Sequence, residues 1–78
     1  MIEKEIKKIS QKIIVTAKNN KVVIATAESC TGGLIGSSLT SIPGSSIAYD
    51  RGYITYSNKS KSDLLNINIE LINKYGAV

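Results

Sequence analysis

The alternation of helical and β-type apolar patterns constrains the fold of this chain more than any other feature. A helical pattern over about residues 2–18 is followed by a β-branched run at 22–26, which predicts a buried strand. After a short helical pattern and a Pro43-Gly44 turn signal comes a second β-rich segment at 46–56, in which the Asp-Arg-Gly at 50–52 predicts a bulge or bend. This alternation indicates an α/β layer architecture. Because two strands make a poor sheet alone, we expect them to belong to a larger sheet.

Capping residues mark the last two helices. Asn58 is a favoured N-cap and predicts a helix over 59–65. Asn68 caps a further helix over 69–75 in the same way, and Gly76 closes that helix at a position that favours a left-handed residue. The predicted order is therefore helix, strand, helix, strand, helix, helix.

Composition excludes several kinds of site. The 78 residues include one cysteine and no histidine, so the chain can form no internal disulfide and no ordinary zinc site. Without a histidine partner, Cys30 is expected to be a small buried hydrophobe. No apolar run approaches a membrane span, and the N-terminus lacks the apolar stretch of a signal peptide, so we expect a cytoplasmic protein.

The net charge of +4 raises the question of a nucleic-acid partner. Most of the lysines lie in the first helical pattern, whose apolar face is predicted to consist of Ile2, Ile6, Ile9, Ile13 and Ala17. Acidic residues are interspersed among these lysines, and no aromatic residue is available there for base stacking. A solvated helix face is therefore favoured over a weak phosphate-binding surface, and we expect no specific nucleic-acid partner.

A polar segment at 26–33, Thr-Ala-Glu-Ser-Cys-Thr-Gly-Gly, joins the first strand to the second helix. Backbone N–H groups point outward at such a turn and favour anions or oxyanions. Ser29 and Thr31 are each either a helix cap or a nucleophile, and position alone favours the cap. Gly32 and Gly33 either let a ligand approach the backbone or simply permit a tight turn. The segment lacks the spaced glycine and the lysine of a phosphate-binding P-loop.

A second polar segment follows the second strand and contains Tyr56 and Lys61. Since the chain has no histidine, a serine nucleophile needs another base, and lysine is the available type. A lysine acts as a base only when it is neutral, so Lys61 has to be substantially buried, whereas Lys59 should point elsewhere. Tyr56 is either a core aromatic or a phenol that holds substrate or relays a proton. Asp50 and Arg51 either pair across a bend or bind a charged ligand.

Several of these motifs occur together, and in the same order, in a known family. They are Ala27-Glu28-Ser29-Cys30-Thr31-Gly32-Gly33, Ile42-Pro43-Gly44-Ser45-Ser46, Asp50-Arg51-Gly52 and Thr55-Tyr56-Ser57-Asn58 with Lys61. Together they strongly resemble the C-terminal domain of the CinA family, which includes the nicotinamide mononucleotide deamidases. The resemblance implies a layered helix/sheet/helix α/β fold. It also implies hydrolysis of the nicotinamide carboxamide to nicotinic acid mononucleotide and ammonia, in pyridine-nucleotide salvage, with neither a metal nor an organic cofactor.

The resemblance further implies roles for individual residues. Ser29 is the nucleophile, Lys61 the base and Tyr56 an assisting phenol, although the residues alone leave the choice between Ser29 and Thr31 open. Substrate binding or oxyanion stabilisation is implied for Glu28, Thr31, Gly32, Gly33 and Arg51.

The resemblance covers about the first half of the family domain. We therefore expect residues 1–78 to be the N-terminal portion of a single truncated domain, completed by self-association or by a separately encoded second half. The expected partners are a pyridine nucleotide and either a second copy of the chain or that complementing chain. The alternative is an inactive remnant or binding module that keeps the motif without a completed site. A competence-related interaction role, suggested only by the family's name, is a more distant alternative.

Overall fold

A computed structural model describes residues 2–76 of the chain. Its elements are α1 (Ile2–Asn19), β1 (Ile24–Glu28), α2 (Leu34–Thr40), a 3-10 turn (Ser45–Ile47), β2 (Tyr49–Ile54), α3 (Asn58–Leu65) and α4 (Ile69–Tyr75). The predicted α/β class and the predicted order of helices and strands are confirmed. No helix in the described part of the chain has the length and apolarity needed to cross a membrane.

The first strand begins at Ile24, two residues later than predicted, because the start of the β-branched run takes part in the hydrogen bonds that end α1. Lys21 adopts a left-handed conformation with φ 54°. Its N–H donates to the Lys18 carbonyl at 3.1 Å, and the Val22 N–H donates to the Ala17 carbonyl at 2.9 Å. These two bonds form a Schellman motif, which places Val22 outside the sheet.

The two strands are parallel neighbours. The register pairs Ile24 with Tyr49 but Ala25 with Arg51, so β2 carries one extra residue, Asp50, at that point. This irregularity confirms the bulge or bend predicted for residues 50–52. Since parallel strands need a crossover connection, α2 lies between them in the chain and contacts both. The carboxyl ends of the strands consequently meet at one edge of the sheet.

The core lies where α1 and α2 meet the start of the strands. Its buried members are Ile14, Ala17, Leu39, Ile42 and Ala48, with Ile24 and Tyr49 packed against them. The buried residues of α1 are Ser10, Ile14 and Ala17. The prediction of Ala17 is confirmed, but the predicted face was wrong in its middle, where Ser10 and Ile14 are buried in place of their neighbours Ile9 and Ile13. Ile2, Ile9 and Ile13 lie on the surface instead.

Tyr49 connects the core to both strands. Its hydroxyl forms a 2.8 Å hydrogen bond with Thr26 Oγ1 on β1. Gly36 and Gly52 lie against the same hydroxyl: a Cβ atom at Gly36 would lie 2.9 Å from it, and one at Gly52 would collide with it. The close approach of the phenol therefore requires glycine on both sides.

The last two helices begin with side-chain caps. Ser57, and not Asn58 as predicted, caps α3, and its Oγ accepts the Ser60 N–H at 3.1 Å. Asn58 is instead the first helical residue. The prediction for α4 is confirmed, since Asn68 Oδ1 accepts the Glu70 N–H at 2.9 Å. Gly76 follows α4 with φ 81° and ψ −177°, so its φ is positive as expected, but its conformation is extended and not the predicted left-handed one.

Candidate active site

A pocket of about 420 Å³ opens at the edge where the two strands end. It is lined by Ala27, Glu28, Ser29, Thr55, Lys61, Leu65, Ile67, Leu71, Ile72, Tyr75 and Gly76. Open α/β sheets bind ligands in the crevice outside the carboxyl ends of their strands. The location and the size of this pocket therefore match those of a small-molecule site.

Ser29 is the first residue after β1, and its half-buried side chain lines the pocket. It does not cap α2, because the N-cap of that helix is Gly33, which makes no side-chain hydrogen bond. The capping interpretation of Ser29 is therefore wrong for this helix. Ser29 instead lines a cavity that is also lined by a lysine.

Lys61 lies on α3, is half-buried and lines the same pocket. Lys59, two residues earlier on the helix, points away from the pocket, with 85% of its side chain exposed. Its Nζ donates to Asp63 Oδ2 at 2.5 Å, and this hydrogen bond raises the pKa of Lys59. The predicted divergence of the two lysines is confirmed, and only Lys61 shares a cavity with Ser29.

Glu28 is buried, at 4% exposure, and both of its carboxylate oxygens accept hydrogen bonds. Oε1 accepts the Thr31 hydroxyl and the Ile35 N–H, each at 2.8 Å, and Oε2 accepts the Gly36 N–H at 2.9 Å. Burial acts to raise the pKa of Glu28, but the hydrogen bonds from Gly36, Ile35, Thr31 and Gly33 outweigh it and lower that pKa below 4.5. The carboxylate is therefore ionised at neutral pH.

This arrangement restricts which backbone donors of the turn can meet a ligand. The first turn of α2 already faces Glu28, so its N–H groups are not the open anion site predicted from the sequence. Within residues 2–76, the N–H groups of Cys30, Thr31 and Gly32 donate no hydrogen bond. These three groups follow Ser29 directly in the chain and are the donors of residues 30–32 that have no acceptor among the described residues.

The glycines of the turn have conformations that other residues rarely adopt. Gly32 and Gly33 have φ 61° and 100°. A Cβ at Gly33 would also lie 2.9 Å from the Ile54 side chain, whereas Gly32 has open space around it. The tight-turn interpretation is therefore sufficient for both glycines, and neither lines the pocket.

The other predicted site residues lie outside the pocket. Tyr56 is 79% exposed. Arg51 is exposed and pairs with its neighbour Asp50, which was one of the two predicted alternatives. Cys30 is exposed, and its predicted burial was wrong because the turn that carries it lies at the surface.

The pocket contains one phenol that the sequence analysis missed. Tyr75, the last residue of α4, lines it, and Lys74 Nζ lies 5.1 Å from the centre of the Tyr75 ring. The position of Tyr75 in its helix did not predict that it lines the pocket, because α4 reaches the pocket only through its packing against α3. Among residues 2–76, no three His, Cys, Asp or Glu side chains come together as a metal site would require.

The protein is of the α/β class, with a parallel sheet and a pocket at the carboxyl edge of that sheet whose mostly apolar lining includes Glu28, Ser29 and Lys61. The chain belongs to the CinA C-terminal domain family, whose sequence profile matches residues 6–78. The resemblance inferred from the sequence motifs is thereby confirmed.

Individual relatives are similar along nearly the whole chain. Nicotinamide-nucleotide amidohydrolase PncC from Enterobacter agglomerans is 44% identical over 78 residues, which cover 100% of this chain and 48% of that protein. A CinA-like protein from Colwellia psychrerythraea is 43% identical over 77 residues, 99% of this chain and 18% of that protein. The crystal structure of competence/damage inducible protein CihA from Agrobacterium tumefaciens matches with a TM-score of 0.91 and 44% identity, covering 94% of this chain and 44% of that one. The chain thus spans less than half the length of each of these relatives.

Proposed function

We propose that this chain carries the nucleophile and the base of a nicotinamide-nucleotide amidohydrolase. The observation that supports this most is that Ser29 and Lys61 line one pocket at the carboxyl edge of the sheet. The 44% identical relative from Enterobacter agglomerans has that activity in its name. The proposed substrate is nicotinamide mononucleotide, and the proposed products are nicotinic acid mononucleotide and ammonia.

The proposed reaction proceeds in two halves. The Ser29 hydroxyl attacks the carboxamide carbon while the Lys61 amine takes its proton, and the carbonyl oxygen becomes an oxyanion. The free N–H groups of residues 30–32 stabilise that oxyanion. Return of the proton from Lys61 to the leaving nitrogen releases ammonia and forms an ester on Ser29. Water, deprotonated by Lys61, then hydrolyses the ester to the carboxylate and regenerates the serine.

The hydrogen bonds favour Ser29 over Thr31 as the nucleophile. The Thr31 hydroxyl donates to Glu28, a carboxylate whose pKa is already lowered and which is therefore a weak base. Thr31 also lies outside the pocket lining. We assign Thr31 to holding the turn, and Ser29 to attack.

Tyr75 is the phenol best placed to contact a nicotinamide ring. In nicotinamide mononucleotide this ring is a pyridinium cation, and an aromatic face attracts such a cation. Tyr56, Gly32, Gly33 and Arg51 remain proposed contributors on the resemblance alone. They would reach the substrate only if it extends beyond the described pocket.

A second candidate function is that of a binding module completed by another polypeptide segment. The chain spans 48% of the length of its amidohydrolase relative. Large apolar side chains also lie at its surface between α1 and α2, where Ile9, Ile13, Leu34 and Ile35 are all more than 40% exposed. We propose that either a second copy or a segment equivalent to the rest of the relatives covers such surfaces and completes the pocket.

Ammonia release from nicotinamide mononucleotide by the purified chain tests the proposed activity. Ser29→Ala and Lys61→Ala should each abolish release, while the matched variants Ser46→Ala and Lys59→Ala, which lie outside the pocket, should retain it. Light scattering on the same samples reports whether the active species is a monomer. Binding of the mononucleotide by a folded monomer without ammonia release would favour the binding module.

A further inference from the structure

Glu28 is the buried charged group for which the proposed mechanism has no step. We infer that it is a positioning residue, which fixes the turn at 29–33 so that Ser29 and the oxyanion donors keep one geometry. This inference rests on the proposed function for its kinetic consequence. It differs from the substrate contact that the family resemblance implies for the same residue.

The carboxylate takes the place of the missing cap of α2. In most helices a Ser, Thr, Asp or Asn side chain at the N-cap accepts the N–H of the second or third helical residue. Here the N-cap is Gly33, which has no side chain, and the second and third residues are Ile35 and Gly36. Their N–H groups donate to Glu28, five residues before the N-cap, at 2.8 and 2.9 Å. The end of β1 thus caps the following helix.

Glu28 is itself held on both sides. Its carbonyl oxygen accepts the Thr55 N–H at 2.8 Å, which ties the end of β1 to the residue after β2. Its side chain is buried against the start of α2. The turn is therefore fixed at one end by the sheet and at the other by the carboxylate, and the Thr31 hydroxyl adds a third attachment in its middle at 2.8 Å.

The turn needs such a restraint because its own residues do not supply one. It contains two glycines at positive φ, and glycine loses more conformational freedom on folding than any other residue. Ser29 and the free N–H groups of residues 30–32 all lie in this segment. Catalytic groups must be held in place before the reaction, and a misplacement of about 1 Å can lower the rate about 100-fold.

Glu28→Gln is the variant that tests this role. It keeps the size of the side chain but removes the charge and replaces one acceptor oxygen by an N–H₂ donor. Glu70→Gln is the matched control, because it makes the same substitution in the first turn of the short helix α4, at a residue that is exposed and outside the pocket. Ammonia release is measured for kcat and KM, and amide hydrogen exchange is measured for Ile35, Gly36 and the core residue Ile14.

The positioning role predicts that kcat falls roughly 10- to 100-fold in Glu28→Gln while KM changes less than about threefold. Exchange at Ile35 and Gly36 should accelerate at least about tenfold relative to Glu70→Gln, with exchange at Ile14 unchanged. A rise in KM at constant kcat would overturn the inference in favour of a substrate contact. Unchanged exchange at Ile35 and Gly36 would overturn it as well.

The two hypotheses fail in different ways. If the wild-type chain releases no ammonia, the proposed function fails, and the exchange of Ile35 and Gly36 still decides whether Glu28 holds the turn. If Glu28→Gln does not fold, Thr31→Val removes one attachment at an exposed residue. The positioning role then predicts faster exchange at Gly33 and Leu34, and unchanged exchange there would overturn it.

Discussion

Thr31 Oγ1 lies 2.8 Å from Glu28 Oε1 and donates its proton to that carboxylate. Two hydroxyls therefore stand two residues apart in one turn, with different surroundings. Ser29 and Lys61 line the same pocket, whereas Thr31 does not line it and donates its hydroxyl proton to the buried carboxylate of Glu28. This difference in surroundings favours Ser29 over Thr31 as the candidate nucleophile.

We expect Ser29→Ala to lower ammonia release by at least about 1,000-fold, because loss of the nucleophile leaves only binding and oxyanion stabilisation. Thr31→Val should leave measurable turnover, since it removes one attachment of the turn and no reacting atom. Initial rates with nicotinamide mononucleotide check both expectations. Inactive Thr31→Val combined with active Ser29→Ala would reverse the assignment.

The lowered pKa of Glu28 predicts acid sensitivity with a definite sign. A carboxylate whose pKa is lower in the folded state stabilises the fold above its unfolded pKa, and this stabilisation is lost as the pH falls through the folded pKa. The free energy of unfolding of the wild-type chain should therefore decline below about pH 4.5. Urea unfolding at pH 7 and pH 3, followed by circular dichroism, measures this decline. It should be smaller in Glu28→Gln and unchanged in Glu70→Gln, and equal declines in all three would contradict the assignment.

Sequence patterns were sufficient for features that depend on near neighbours in the chain. The Asn68 cap of α4, the bulge near Asp50 and the order of elements follow from local propensities. The divergence of Lys59 and Lys61 follows from helical spacing alone. The pairing of Ser29 with Lys61 was instead implied by the family resemblance, and in the structure the parallel strands bring both residues to one pocket.

Features that depend on contacts between distant elements were not predictable in this way. Ile13 and Ile14 are adjacent and equally apolar, so the pattern could not decide which one faces the core, and packing against α2 selects Ile14. The capping of α2 by Glu28 needs the end of β1 to lie against a helix whose N-cap is glycine. Tyr75 enters the pocket only because α3 and α4 pack together.

Gly52→Ala should destabilise the chain by about 1–3 kcal/mol, as overpacking in a close-packed site does. The new Cβ would collide with the Tyr49 hydroxyl and lie 2.7 Å from Thr26 Oγ1, which disturbs the hydrogen bond between those two side chains. Tyr49→Phe removes the colliding oxygen. In a double-mutant cycle by urea unfolding, the two substitutions together should therefore cost less than the sum of their separate effects. Strict additivity would show that Gly52 is not constrained by the phenol.

Tyr75→Ala should raise KM for nicotinamide mononucleotide roughly 2- to 30-fold, the range expected for loss of a cation–π contact with the pyridinium ring. Tyr75→Phe keeps the ring and should have a smaller effect. The exposed Tyr56 provides the comparison: Tyr56→Phe removes only the phenolic oxygen, and an assisting role for Tyr56 predicts a fall in kcat at unchanged KM. Steady-state kinetics of the three variants separate ring stacking at Tyr75 from proton transfer at Tyr56. If Tyr75→Ala leaves KM unchanged, the nicotinamide ring does not bind against α4.

Lys61 can be tested both as a base and as a positive charge. Lys61→Arg keeps the charge, but its guanidinium cannot be deprotonated at working pH and so cannot accept the serine proton. We expect Lys61→Arg to be as inactive as Lys61→Ala. Lys59→Ala, which removes an exposed ion pair with Asp63 outside the pocket, should keep the wild-type rate. Substantial activity in Lys61→Arg would assign Lys61 an electrostatic role and leave the proton of Ser29 to another acceptor.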